Sequence, residues 1–215
     1  MHVNYQQLLE FAGDLPVVES ASLRAAGLAS NALAVQLSRW VEAGKLVQLT
    51  RGTYLLPERL RRNRAPVETI ANLLHAASYV SLERALSIHQ LIPEAVPLIQ
   101  SITTGRPQHF STPVGDFDYR HVKPSWFFGY LEMTIGDGRA LVATPEKALL
   151  DLFYLSRGEF IAERLVQLRL QNTESLNVEL LARFAARAKS PKVERAVRHL
   201  IESVKQEQDW QVVTP

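Results

Sequence analysis

A chain of 215 residues with 47% apolar residues, a mean hydropathy near zero and a formal net charge of +2 can fill one large or two smaller water-soluble domains. It contains no cysteine, which excludes disulfides, thiolate metal sites and cysteine nucleophiles and fits a reducing cytoplasm. No run approaches the roughly 18 apolar residues of a membrane span, and "MHVNYQQLLEFAGDLP" lacks the basic and apolar regions of a signal peptide; a cytoplasmic protein without membrane contact is expected.

In chain order, Tyr5, Leu8, Leu9 and Ala12 recur at helical spacing until Gly13-Asp14 and Pro16 stop the element. A second short helix is expected from about Glu19 to Ala26, closed by Gly27. A third follows in "NALAVQLSRWVEA", with Ser30 as N-cap, one apolar stripe of Leu33, Leu37, Trp40 and Val41, and Gly44 as the stop. Leu46, Val47 and Leu49 then lead into Arg51-Gly52, and Tyr54, Leu55 and Leu56 lead away, which predicts a hairpin. Helix, helix, turn, helix and hairpin in this order is the plan of a winged helix-turn-helix.

In such a module the second helix of the pair enters the major groove. The stripe leaves Asn31, Val35, Ser38 and Arg39 outward and Gln36 at its border. Asn and Gln match adenine edges and Arg matches guanine. Arg51 at the wing tip can reach phosphate, and Gly52 supplies the backbone freedom of a tight turn. Residues 1–65 carry the basic residues Arg24, Arg39, Lys45, Arg51, Arg59, Arg61, Arg62 and Arg64 against the acidic Glu10, Asp14, Glu19, Glu42 and Glu58. Positive charge therefore gathers in the segment with the DNA-binding pattern. The candidate DNA-contact residues are Arg24, Ser30, Asn31, Gln36, Arg39, Lys45, Arg51, Arg59, Arg61, Arg62 and Arg64.

The Pro-bounded basic stretch "PERLRRNRAP" opposes continuous structure. It suggests a first domain over 1–57, a linker over 58–66 and a second domain over 67–215. Val67 to Ala77 reads as a helix. "SYVSLERALSIHQLIPE" reads as another, with Ser81 as N-cap and Tyr79 and Leu82 as anchors. "LIQSIT", "QHFSTP", "FDYRHV", "WFFGYLEMTI" and "RALVAT" read as strands, with a hairpin turn at Gly136-Asp137-Gly138. Thr144-Pro145-Glu146 opens a helix over "EKALLDLFYL". Further helices are expected from about Glu159, from Ser175 and from Ser190-Pro191. The fold class is α+β: a winged helix-turn-helix followed by a larger domain with a small, mainly antiparallel sheet flanked by helices.

No catalytic pattern emerges. Glu146-Lys147 with Asp116 and Asp118 lacks the two-residue strand spacing that lets a metal-dependent nuclease point its acid and lysine to one face. His109, Asp116, Asp118 and His121 have no spacing typical of metal ligands. There is no Gly-rich phosphate loop, HExxH or GxSxG. Glu146, Lys147 and Asp151 read as charges of a capped helix with an i,i+4 pattern. No enzyme activity, cofactor or metal is expected.

Four stretches, "LVQLTRGTYLL" (46–56), "SYVSLERALSIHQLIPE" (78–94), "VGDFDYRHVKPSWFFGY" (114–130) and "ATPEKALLDLFY" (143–154), resemble the AbiEi-type antitoxins of type IV toxin–antitoxin (abortive infection, phage defence) systems. The resemblance is strongest from Gly44 through Leu155. It implies a winged helix-turn-helix that binds inverted repeats in the double-stranded DNA of its own promoter and represses transcription. It also implies a carboxy-terminal domain that counteracts a co-encoded nucleotidyltransferase-like toxin without a stable complex. Two rival readings remain open: a stand-alone transcription factor whose second domain senses a ligand or protein, and a nuclease-like enzyme using the His109–His121 region.

Overall fold

A computed structural model describes residues 4–28, 32–62 and 64–213 of the chain. The first helix, α1 (Tyr5–Ala12), starts on a reciprocal cap. The Asn4 side chain accepts from the Gln7 amide at 2.8 Å, and the Gln7 side chain accepts from the Asn4 amide at 2.9 Å. A two-residue strand β1 (Val18–Glu19) follows, then α2 (Ser20–Ala25) and α3 (Leu33–Glu42). The hairpin is β2 (Val47–Thr50) and β3 (Thr53–Leu55), with a register shift between Gln48 and Thr50. The three strands form an antiparallel sheet in the order β1-β3-β2.

Glu19, the expected start of the second helix, is its extended N-cap residue and also pairs with Thr53 of β3. The proposed cap Ser30 lies outside the described residues, and Ala32 precedes α3 without a side-chain cap bond. The C-terminal stop behaves as expected. Gly44 takes a φ of +64°, and the chain reverses so that the Lys45 and Leu46 amides both donate to the Trp40 carbonyl.

Leu8, Leu23, Leu33, Leu37, Trp40, Leu46 and Tyr54 make one core, with the Tyr5 ring edge-on to Trp40 at 5.5 Å. Val17, Leu49 and Leu55 belong to a different core: they join the apolar interior of the larger domain. Residues 58–60 form a single 3-10 turn, and Arg61 Nε donates to the Leu56 carbonyl at 2.7 Å.

The larger part runs α4 (Val67–Leu74), β4 (Ser78–Val80), α5 (Leu82–Ile88), β5 (Ile99–Thr103), β6 (Gln108–Thr112), β7 (Gly115–His121), β8 (Tyr130–Ile135) and β9 (Gly138–Ala143). The helices α6 (Pro145–Leu155), α7 (Ala162–Gln167), α8 (Val178–Ala188) and α9 (Pro191–Val213) complete it. Six strands form one sheet in the order β6-β7-β5-β4-β9-β8. Three of its pairings are antiparallel, while β5–β7 and β4–β9 are parallel, so the sheet is mixed. Helix α5 starts after Ser81 as expected, and the segment 78–80 ahead of it forms a central strand that carries Tyr79. Trp126, expected to begin a strand, is buried in a 3-10 turn, and the strand starts at Tyr130.

The helix α4 ties to the sheet through side-chain-to-backbone bonds. Thr69 donates to the Arg139 carbonyl, Asn72 accepts from the Leu141 amide, and Tyr119 of β7 donates to the Ala71 carbonyl, each at 2.7 Å. Helix α6 is apolar on nearly every side and packs among α5, α8 and α9. At its start Thr144 accepts from the Lys147 amide and Pro145 takes the first helical position. Against the sheet, β2 of the amino-terminal module packs beside the edge strand β6.

Candidate nucleic-acid interface

Burying Leu33, Leu37 and Trp40 fixes the rotation of α3 about its axis. Its opposite face, Ala34, Val35, Ser38, Arg39 and Glu42, is exposed, and Val35 is open to 53%. Gln36 lies half-buried at the border. The face thus offers a guanidinium, a hydroxyl and methyl groups, the types that read guanine edges and thymine methyls. Asn31 lies outside the described residues, as does Ser30.

The wing is joined to the helix pair at its tip. The Ser20 amide, at the start of α2, donates to the Gly52 carbonyl at 2.8 Å. Gly52 has a φ of +88°, and a Cβ there would stand 2.9 Å from Ser20 Oγ. Only glycine allows this turn and this approach together. Arg51 is exposed beside it, and Arg24 is exposed in the last turn of α2. The wing tip and α2 are therefore one tied unit.

The remaining predicted cations lie elsewhere. Lys45 Nζ stands 5.1 Å from the centroid of the Tyr5 ring, whose hydroxyl donates to the Lys45 carbonyl at 2.9 Å. Burial raises the Tyr5 phenol above its usual range, and the Arg59 cation opposes that rise. Arg61 is half-buried and held by the Leu56 carbonyl, a structural tie. Arg62 and Arg64 line an open cleft of about 510 Å3 together with Asp14 and Asp137, so acidic groups face these arginines. The predicted cations are thus divided among the helix pair with its wing, the Tyr5 ring, the Leu56 carbonyl and the linker cleft.

The sequence reading missed a buried polar centre. Lys147 and Asp151, read as charges of a capped helix with an i,i+4 pattern, do pair within α6, but both are fully buried. Asp151 accepts from four donors: Tyr79 Oη at 3.0 Å, Ser81 Oγ at 2.7 Å, Trp126 Nε1 at 2.6 Å and Lys147 Nζ. Ser81 consequently makes no cap bond to α5. The Lys147 ammonium also lies 5.5, 5.0 and 4.9 Å from the ring centroids of Tyr79, Trp126 and Phe128. Burial lowers its pKa and Asp151 opposes that shift; burial and the Asp151 charge push the Tyr79 phenol far up. Gly129, at φ +75°, leaves room for this packing, since a Cβ there would meet Phe184 at 3.0 Å and Lys147 at 3.1 Å. Glu146 is buried too, accepting from the Asn177 amide at 2.9 Å.

A fully satisfied, enclosed network of this kind specifies a core rather than a reaction. Its members come from 78–94, 114–130 and 143–154, three of the four stretches that carry the family resemblance. One signal could have revealed it. Lys147 and Asp151 sit in a helix with apolar neighbours at Ala148, Leu149, Leu150, Leu152 and Phe153, which leaves no solvent face for them.

The other candidates have local partners. His109 pairs across strands with Asp118, which is bonded to Arg120 at 2.9 Å; Asp116 accepts from Ser111 Oγ at 2.5 Å; His121 Nδ1 lies 2.8 Å from the Gly105 carbonyl. Among the described residues no three His, Asp or Glu side chains gather closely enough to hold a metal ion. No helix among them is long and apolar enough to cross a membrane.

Residues 6–57 match the sequence model of a family described as transcriptional regulator, AbiEi antitoxin. That family is one of regulators and antitoxins, not of enzymes. No curated protein matches the chain.

Proposed function

Taking as premise that the amino-terminal segment supports an AbiEi-type antitoxin and transcriptional regulator, we propose that the protein is a cytoplasmic autorepressor of its own promoter. The outward face of α3 reads bases in the major groove of inverted repeats, and Arg24, Arg39 and Arg51 hold phosphates or base edges. Lys45 and Arg59 extend the basic surface, and Arg62 and Arg64 add longer-range attraction. Residues 1–57 form the DNA-binding unit, 58–66 the connection, and 67–215 the part that counteracts a nucleotidyltransferase-like toxin without a stable complex.

The observation that supports this reading most is the pairing of an open α3 face with a wing whose tip is bonded to α2. The test is Arg39→Ala combined with Arg51→Ala in a mobility-shift titration on the promoter at fixed salt. Loss of the shift is expected, and across a salt series the slope of log affinity against log salt should flatten by about one unit for each phosphate no longer neutralised. Unchanged affinity of the double variant would overturn the assignment.

A further inference from the structure

The two edges of the six-stranded sheet are treated differently. The edge strand β6 is sheltered by β2 of the amino-terminal module. At the other edge, β8 has β9 as its one strand neighbour among the described residues. The alternation of bonding along β8 can be read from its flank, where the Thr144 amide donates to the Gly129 carbonyl at 2.9 Å and the register continues unbroken to Ile135 opposite Gly138. Residues 129, 131, 133 and 135 therefore bond to β9, and Tyr130, Glu132 and Thr134 turn their backbone groups outward. Among the described residues no backbone group bonds to those three.

Natural edge strands are normally blunted by proline, lysine, a bulge or an inward charge. The sequence of β8, YLEMTI, has none of these. Its one charge, Glu132, is bonded to Arg139 of β9 at 3.1 Å. Leu131 stands 63% exposed on the face it shares with Met133 and Ile135.

We infer that β8 is an interaction surface that pairs antiparallel with β8 of a second copy of this chain, across a two-fold axis at Met133. Outward-bonding residues must pair with outward-bonding residues, so the possible registers are few. The register centred on Glu132 sets two carboxylates face to face, which is unfavourable. Centring on Met133 sets Glu132 opposite Thr134 of the second copy, the strand partner of that copy's Arg139. No like charges are then opposed, and each Glu132 lies two strands, roughly 10 Å, from the Arg139 of the second copy. On the other face Leu131 meets Ile135 of the second copy, and the two Met133 side chains meet each other. The exposed leucine is thereby covered in an apolar row across a continuous twelve-stranded sheet.

Because the chain has no cysteine, Met133→Cys introduces a single thiol into the full-length protein. In this register the two positions form a non-hydrogen-bonded pair with Cα atoms about 4.5 Å apart, within disulfide range. Mild oxidation should yield a covalent dimer, while Ala95→Cys, exposed away from β8, should remain uncrosslinked. In sedimentation equilibrium the unmodified chain should show a concentration-dependent dimer. Leu131→Lys and Thr134→Pro should weaken that dimer about tenfold or more by adding a charge and removing an outward donor. Circular dichroism melts would show both variants folded. A monomeric mass at every concentration, or Met133→Cys crosslinking no faster than Ala95→Cys, overturns the proposal. Crosslinking through Leu131→Cys in place of Met133→Cys overturns the register and its charge argument.

Discussion

The amino-terminal module and the larger domain use cations in opposite ways. In the module, Arg24, Arg39 and Arg51 are solvated on the outside of two helices and a turn, and the packing beneath them is aliphatic and aromatic. In the larger domain, Lys147 has no solvent contact and is enclosed by a carboxylate and three aromatic rings. A solvated cation contributes little to stability and remains available to a polyanion. An enclosed cation is available to no ligand, and removing its partner leaves a charge without compensation. The same class of side chain is thus left open to solvent in one region and specifies the fold in the other.

That contrast orders the expected effects of substitution. Asp151→Ala should be the most damaging, since it strands the ammonium together with the Tyr79, Ser81 and Trp126 donors; a loss of about 3–5 kcal/mol in urea unfolding is expected. A loss below about 1 kcal/mol would mean that water reaches the site and the contrast is overstated.

Gly52→Ala should come next, at about 1–3 kcal/mol, from the left-handed backbone and the close approach of Ser20 Oγ. Its weight should fall on DNA binding as well, because the wing tip would leave α2. A variant that binds the promoter as the parent does would separate wing placement from recognition.

Alkaline pH gives a smaller effect with a definite sign. Burial raises the Tyr119 phenol above its ordinary 10.0. A raised folded value contributes stability that is fully present below the unfolded value and is lost as pH rises past it. The thermal midpoint should therefore fall as pH climbs above about 10, and Tyr119→Phe, which cannot ionise, should fall less steeply. Equal slopes for the two proteins would assign the loss to other groups. The smallest effect is expected from Arg39→Ala with Arg51→Ala, which should leave unfolding within about 0.5 kcal/mol of the parent even as promoter binding disappears. A larger change would show that these exposed arginines also support the fold.

Much of the fold was legible because its elements are long enough to show a period. The stripe of α3, the hairpin at Arg51-Gly52, the β8–β9 turn and the Thr144-Pro145 opening of α6 appear where the residues place them. The two-residue β1 and the three-residue β4 could not appear this way; both exist because of partners far along the chain, Thr53 for Glu19 and the strands β5 and β9 for β4. Ser81 looked like a helix cap because capping needs only a nearby amide, yet a buried carboxylate 70 positions away takes its hydroxyl. Lysine and aspartate four apart look the same on a surface as in an interior; tertiary enclosure alone distinguishes them. Of the candidate site, the exposed face of α3 and the wing were legible, whereas the tie of Arg61 to Leu56 and the acids opposite Arg62 and Arg64 depend on how the linker turns back.

The underside of the wing has a further consequence. Because Val17, Leu49 and Leu55 lie in the interior of the larger domain, the amino-terminal module is welded to its base instead of swinging on a tether. On the proposed function, the angle at which the wing would meet a duplex is set by the chassis behind it, and a fragment cut at Pro57 would carry a greasy scar where that chassis had been.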